Sequence, residues 1–334
     1  MKRLLWLVVA LILALVVPAL LGGSDLLVRL RAFDPGLMLG LLGMILLCWV
    51  INATRLRLLL GSHGENLGRL RSLGVIMATE FAICTTPGGS GGPLAFMALL
   101  ARDRIKPARS TAVYATDQLN DLLFFLCAIL GIAGYSLFHS LNRSLEGMVL
   151  SSGVLMFGAL VSVMVLVGYR RALLQLNCRL LRTLNVSTVR RRRWTRKILH
   201  FFRALAETWR LPKLTLALVF ALTCVHWGLR YSVLYLALRG LGVDLQWMLS
   251  FLVQMLSLSA GQFSLLPGGA GAAELTSAAL LTPLVGTSTA AAAILIWRVV
   301  TYYFYLIAGG PVFVCLLGGS LLERLRFNQA RAPR

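Results

Sequence analysis

"TTPGGSGGP" occupies residues 85–93, and "LLPGGAGAAE" occupies residues 265–274. Each interrupts a strongly apolar stretch in which a helix would otherwise run on. Proline removes a backbone donor and clashes with the preceding turn. Consecutive glycines permit φ > 0 and weaken a helix. Each string therefore ends one half-helix and lets another begin, the half-helices after the breaks starting near Leu94 and Ala272. At an offset of 180 (267 − 87), Pro87-Gly88-Gly89 meets Pro267-Gly268-Gly269, Gly91 meets Gly271 and Leu100 meets Leu280.

The surrounding composition says what kind of chain this is. Of 334 residues, 58% are hydrophobic and 13% charged, with a net charge of +21; soluble domains carry about 25% charged residues. Several apolar runs approach the roughly 20 residues a helix needs to cross a bilayer. The expected fold class is an all-α polytopic membrane protein. The excess of Arg and Lys lies between the apolar runs, as cytoplasmic loops require, and no recognition motif points to nucleic acid. Six scattered cysteines without a C-x-x-C pair and four histidines without ligand spacing give no support for a disulfide framework, a metal or any other cofactor.

Flanking charge orients the segments. Lys2 and Arg3 place the N-terminus in the cytoplasm, ahead of a first span over Leu4 to Leu21. Pro35 to Ala53 returns, ending at Arg55 and Arg57. Residues 72–100, with Arg69 and Arg71 before and Arg102, Arg104, Lys106 and Arg109 after, read as a hairpin entering and leaving on the cytoplasmic side. Thr111 to Phe138 and Gly147 to Tyr169 are spans, 170–213 is a basic cytoplasmic segment, and Leu214 to Leu238 crosses outward. Residues 245–284 are poor in flanking cations and read as a second hairpin entered from outside. Ala290 to Leu317 closes the set, before Arg324 and Arg326. The expectation is an inverted repeat with two oppositely oriented re-entrant half-helix hairpins and about six full spans, an arrangement common in secondary transporters. Two independent kinks in a chain with 31 glycines would account for neither the matched motif nor the opposite flanks. The membrane domain covers 1–320, and 321–334 is a basic tail.

Charges inside apolar runs cost about 2.5–3.5 kcal/mol each on insertion scales, so they need partners or water. Glu80, Asp117, Asp121, Arg230, Glu274 and Arg298 are such charges. Asp117 and Asp121 share a helix face, as do His226 and Arg230. Arg298, Tyr302 and Tyr305 form a polar-aromatic stripe. Glu274 falls in the first turn of its half-helix, where the dipole favours a carboxylate; pairing with Arg298 and carrying a proton are equal readings of it. The candidate substrate-binding set is Pro87, Gly88, Gly89, Gly91, Pro267, Gly268, Gly269, Gly271, Arg230, Arg298 and Tyr302, with half-helix N–H groups and arginines facing an anionic headgroup. Glu80, Asp117, Asp121 and Glu274 are the candidate ion-coupling residues. Close packing of small residues is the competing account of the glycines.

From Arg190 to Arg210, Trp194, Ile198, Phe201, Phe202, Leu205 and Trp209 recur at helical spacing, with Arg196, Lys197, His200, Arg203 and Arg210 largely elsewhere on the wheel. Trp194, Arg196, Lys197, Phe201, Arg203 and Trp209 make a membrane-surface set facing an anionic leaflet; a helix packed under the bundle is the alternative.

The string "PGGAGAAE" at 267–274, "LIWRVVTYYFYLIAGG" at 295–310 and "TTPGGSGGP" together resemble the lysylphosphatidylglycerol synthase transmembrane, or flippase-like, family over about residues 5–320. The resemblance implies a bacterial inner-membrane protein that moves a lipid between leaflets, with both termini cytoplasmic. Full-length synthases of that family carry a fused cytosolic aminoacyltransferase domain, whereas a short basic tail follows Leu317 here, so lysyl-lipid synthesis is not expected. The family leads one to expect an arginine near "ATDQLNDLL", where Asp117 stands. The function expected is a lipid translocase for a phospholipid or polyprenyl-type lipid, a transporter rather than an enzyme, without cofactors. Its partners are anionic membrane lipids, with a homo-oligomer admitted. The alternatives are an intramembrane lipid-modifying transferase using Asp117 and Asp121, and a scaffold for a cytosolic partner.

Overall fold

The computed structural model describes residues 12, 14–23, 25–65, 67–138, 188–264 and 266–330, with isolated positions between 154 and 169. Among them every regular element is helical. Residues 14–22 are helical, followed by α1 (Asp25–Ala32), α2 (Pro35–Leu60), α3 (Ser62–Glu65), α4 (Arg69–Cys84), α5 (Gly91–Arg102), α6 (Pro107–Phe138) and α7 (Thr188–Trp209). Then come α8 (Lys213–Gly240), α9 (Trp247–Gln262), α10 (Ala272–Val285), α11 (Thr287–Arg298), a π-turn over Val299–Tyr303 and α12 (Phe304–Ala330). Helix starts at Pro35, Arg69, Gly91 and Pro107 are matched by starts at Lys213, Trp247, Ala272 and Thr287, each about 180 residues later.

Local chemistry explains several of these boundaries. Asp34 caps α2, its carboxylate accepting the N–H groups of Gly36 (3.0 Å) and Leu37 (3.1 Å), while Pro35 needs no partner at the first position. Gly286, at φ +80, separates α10 from α11. Among the described residues, four helical stretches are long and apolar enough to cross a membrane: Pro35–Leu60, Pro107–Gly134, Lys213–Gly240 and Thr287–Leu317. Of the other two expected spans, residues 14–21 of the first are helical, while the second, over 147–169, falls largely outside the described residues, as does much of the basic segment. Side chains such as Leu39, Leu70, Leu94, Leu214, Phe263 and Ile307 are exposed, a surface suited to lipid.

The helices correct the expected boundaries in two places. α2 runs to Leu60, not to Ala53, because Leu56 and Leu58 to Leu60 continue the apolar pattern past Arg55 and Arg57. Both arginines therefore lie inside the helix. The first post-break half-helix begins at Gly91 instead of Leu94, since Pro93 is at home in a first turn.

The chain divides into two compact units, one of Met1–Thr54, Leu67–Asp103 and Val225–Arg334, the other of Arg55–Asn66 and Arg104–Cys224. In the first, α4 packs against α5 and α9 against α10, making two helical hairpins around the Pro-Gly-Gly breaks; α12 lies along α4 and α11 against α1. Its core holds Trp49, Trp297, Tyr302 and Tyr305, each almost wholly buried. The Trp49 ring stacks on Phe304 at 5.3 Å and meets Tyr305 edge-on at 5.1 Å. In the second unit α7 packs on α6 around Ala112, Ala204 and Leu205.

Candidate functional site

The two breaks fold into the same turn. Gly88 and Gly89 take φ of +56 and +68; Gly268 and Gly269 take +63 and +68. The N–H of Gly89 donates to the Thr86 carbonyl and that of Gly269 to the Leu266 carbonyl, both at 3.2 Å. One residue on, Ser90 donates to Pro87 (3.2 Å) and Ala270 to Pro267 (3.3 Å). The two tips then meet: Pro87 and Pro267 pair in an isolated antiparallel β-bridge. Proline has no N–H, so the residues flanking each proline must supply the hydrogen bonds of such a bridge. The tip glycines that the sequence offered as headgroup donors thus spend N–H groups on the turns.

Beyond the shared turn the surroundings diverge. In the first hairpin the Thr86 hydroxyl donates to the Ala82 carbonyl (2.7 Å) and accepts the Gly91 N–H (2.8 Å), capping α5 from behind. Arg71 and Asp103 close the hairpin's open end, Nε to Oδ1 at 3.1 Å. In the second hairpin, Gly271 precedes α10 with φ +81 and Glu274 sits in the first turn, wholly buried.

Glu274 meets Arg298, the last residue of α11. Arg298 is 2% exposed, and its Nε lies 2.7 Å from Glu274 Oε1. The approach is close but off-axis, so it is a charge contact without an aligned hydrogen bond. Arg298 Nη1 donates to the Gly268 carbonyl at a long 3.4 Å, tying the arginine to the tip. Its guanidinium lies 5.0 Å from the Trp297 ring centroid and 5.5 Å from that of Tyr302. Glu274 Oε2, Arg298 Nη2 and the Tyr302 hydroxyl are buried without a hydrogen-bond partner among the described residues.

Arg230, half-buried on α8, forms a second cationic centre. It donates to the Tyr305 hydroxyl at 2.5 Å and lies over the Tyr305 and Trp227 rings at 4.9 and 5.7 Å. Glu80, from α4, is within electrostatic reach of Arg230. Cys84, at the end of α4, is buried in the same core cluster as Trp297, Tyr302 and Tyr305. The expected stripe of Arg298, Tyr302 and Tyr305 is divided, Tyr302 going with Arg298 and Tyr305 with Arg230. The π-turn between them changes the winding, and such turns frequently occur at functional sites. His226 is buried, and its carbonyl accepts the Cys48 thiol at 3.7 Å.

Asp117 and Asp121 lie in the second unit. Both carboxylates contact the same Nη2 of Arg55, at 2.6 and 2.8 Å, and Arg55 is 1% exposed. Sequence reasoning read Arg55 as a loop-flanking cation and missed this role. The available signal was the i,i+4 pair of aspartates on α6, which inside an apolar helix calls for a cation. Arg109 was also read as a flank; it donates to the carbonyls of Leu59 (3.4 Å) and Leu60 (3.2 Å) at the end of α2 and approaches Glu207 at 3.5 Å. On α7, Arg196, Arg203 and Trp209 are exposed, while Phe201 is half-buried against the Ala112 cluster. The side chains of Trp194 and Lys197 lie outside the described residues.

The model of the family described as Lysylphosphatidylglycerol synthase TM region matches residues 5–309, both hairpins and both cationic centres included. The chain is similar to a UPF0104 membrane protein of Archaeoglobus fulgidus, 22% identical over 268 residues, which are 76% of this chain and 79% of that protein. No solved structure matches.

Proposed function

The chain belongs to the lysylphosphatidylglycerol synthase TM-region family, and on that premise we propose that this multi-pass membrane protein is a lipid translocase. It passes the headgroup of a phospholipid or polyprenyl-type lipid beside two re-entrant, oppositely oriented hairpins while the tails stay in the bilayer. The observation that carries the reading is a pair of arginines inside one apolar-cored unit, Arg298 bonded to the Gly268 carbonyl at the second tip and Arg230 bonded to the Tyr305 hydroxyl. Guanidinium groups suit phosphate because their planar fork matches its oxygens. Arg230 makes the first contact, since it is the more exposed of the two and its Nε has no hydrogen-bond partner among the described residues. Tyr302 and Tyr305 hold the two arginines apart, and the tip glycines serve as conformational joints. The family's description names a lipid with an anionic phosphate, which fits this chemistry.

The charge distribution supports a cytoplasmic placement of both termini. The aspartate pair that favoured a transferase is engaged by Arg55, which weighs against that alternative. A leaflet-resolved assay tests the translocase. Proteoliposomes holding headgroup-labelled phosphatidylglycerol are expected to expose inner-leaflet label to an added quencher much faster than empty vesicles, and Arg230→Ala to slow this at least about tenfold, the loss of one charge-assisted contact. Unchanged accessibility across a panel of phospholipids and polyprenyl phosphates would end the reading.

A further inference from the structure

We propose that Glu274 is an internal substitute for the substrate's phosphate, and that a proton taken up by Glu274 releases Arg298 to bind that phosphate, so that headgroup and proton load together. The inference rests on the translocase reading and assigns its coupling ion.

The argument begins with occupancy. Glu274 is wholly buried and Arg298 nearly so, and each is the other's charge partner at 2.7 Å. An anion cannot simply join them. One guanidinium would then face two negative charges away from water, and like charges sharing a dry site oppose joint ionisation. Protonating Glu274 removes the conflict. Before loading, the site holds Glu⁻ and Arg⁺; after loading, it holds neutral Glu, Arg⁺ and one phosphodiester anion. Both states are neutral, and the proton that enters resides on the Glu274 carboxyl.

The geometry favours this exchange over a permanent ion pair. The contact uses Nε alone and is off-axis, leaving Nη2 without a partner among the described residues. Glu274 Oε2 and the Tyr302 hydroxyl are also buried without one. A built-in structural pair would be expected to satisfy these atoms. A phosphate, with oxygens to spare, accepts from Nη2 and from Tyr302 where one carboxylate does not. Few other groups compete for the proton. α11 contributes Arg298, the π-turn contributes Tyr302 and Tyr303, α4 contributes the Cys84 thiol in one core cluster with Tyr302, and the sequences of α9 and α10 carry no further titratable side chain than Glu274 itself. Along α9, Ser250, Gln254 and Ser257 are buried at i, i+4 and i+7. The two serine hydroxyls lack partners among the described residues, offering polar stations for water between the start of α9 and the tip.

The test uses the full chain in detergent, with short-chain phosphatidylglycerol and inorganic phosphate as separate probes in weakly buffered solution containing a pH indicator. Binding of the lipid is expected to draw about one proton per lipid from solution, and its affinity to rise about tenfold per pH unit lowered through the coupled range, because the bound state holds one more proton. Glu274→Gln is expected to bind with no proton uptake and no pH dependence. An infrared difference spectrum of the wild-type chain supplies a reading independent of any variant's folding: a protonated-carboxyl band appears on lipid binding. Lipid binding with neither proton uptake nor that band overturns the inference and leaves the translocase standing. Lipid binding with uptake undiminished in Glu274→Gln overturns the assignment to Glu274. No binding of phosphatidylglycerol or phosphate overturns the inference and leaves the translocase to be decided by the leaflet-resolved panel. Uptake with inorganic phosphate alone keeps the exchange and shifts the source of the phosphate from lipid to solute.

Discussion

The two hairpins share one turn and almost nothing else. Backbone dihedrals and turn hydrogen bonds agree residue for residue at Gly88–Gly89 and Gly268–Gly269. The first tip, however, is secured by a threonine hydroxyl and an ion pair at its open end. The second carries a buried carboxylate and is held by a buried arginine from another helix. The positions matching Glu274 and Arg298 in the first half are Leu94 and Gln118. A repeated scaffold therefore does not entail repeated chemistry: the turn recurs, and the buried Glu274–Arg298 pair stands on one side only.

Substitutions can break this contrast or sharpen it. The largest effect is expected from Arg298→Ala, which strands Glu274 at a cost of about 3–5 kcal/mol; joint replacement by Glu274→Leu and Arg298→Met recovers most of it. The readout is the fluorescence-detected melting temperature in detergent. Gly268→Ala follows. The φ of +63 costs a side chain about 1–2 kcal/mol, and the added methyl runs into the buried Tyr302 ring for about 1–3 kcal/mol more. Gly88→Ala at the twin position meets only the Gln262 carbonyl at 3.4 Å, so it is expected to show the backbone strain of about 1–2 kcal/mol alone. Equal shifts for the two glycine variants would erase the asymmetry. Thr86→Val removes the hydroxyl that caps α5 and is expected to cost about 1 kcal/mol. Smallest is Arg71→Ala, where a partly exposed pair is worth at most about 1 kcal/mol.

The breaks, their pairing at a fixed offset and the charged residues within apolar runs were legible because proline, glycine and charge act locally: each imposes its cost wherever it stands in a helix. Glu274 with Arg298 could be named as a pair for the same reason. Arg55 could not, because a cation two residues from Arg57 at the expected end of a span carries the same topological meaning whether it reaches water or a carboxylate. What decided its fate was the helix continuing to Leu60 and two aspartates arriving from α6. The split between Tyr302 and Tyr305 was equally out of reach. It depends on a π-turn, whose extra residue leaves no mark in the α-helical spacing by which such stripes are recognised. That the two hairpins meet near the centre is what two paired breaks lead one to expect; that they meet through Pro87 and Pro267 is a tertiary fact.

The single rung between Pro87 and Pro267 has a mechanical consequence. Neither proline has an N–H to extend the ladder, and the glycines beside them turn the chain away at positive φ, so the seam cannot lengthen into a sheet. A seam one rung wide ties the two hairpins at a single backbone point and leaves the rest of their hold on one another to side-chain packing.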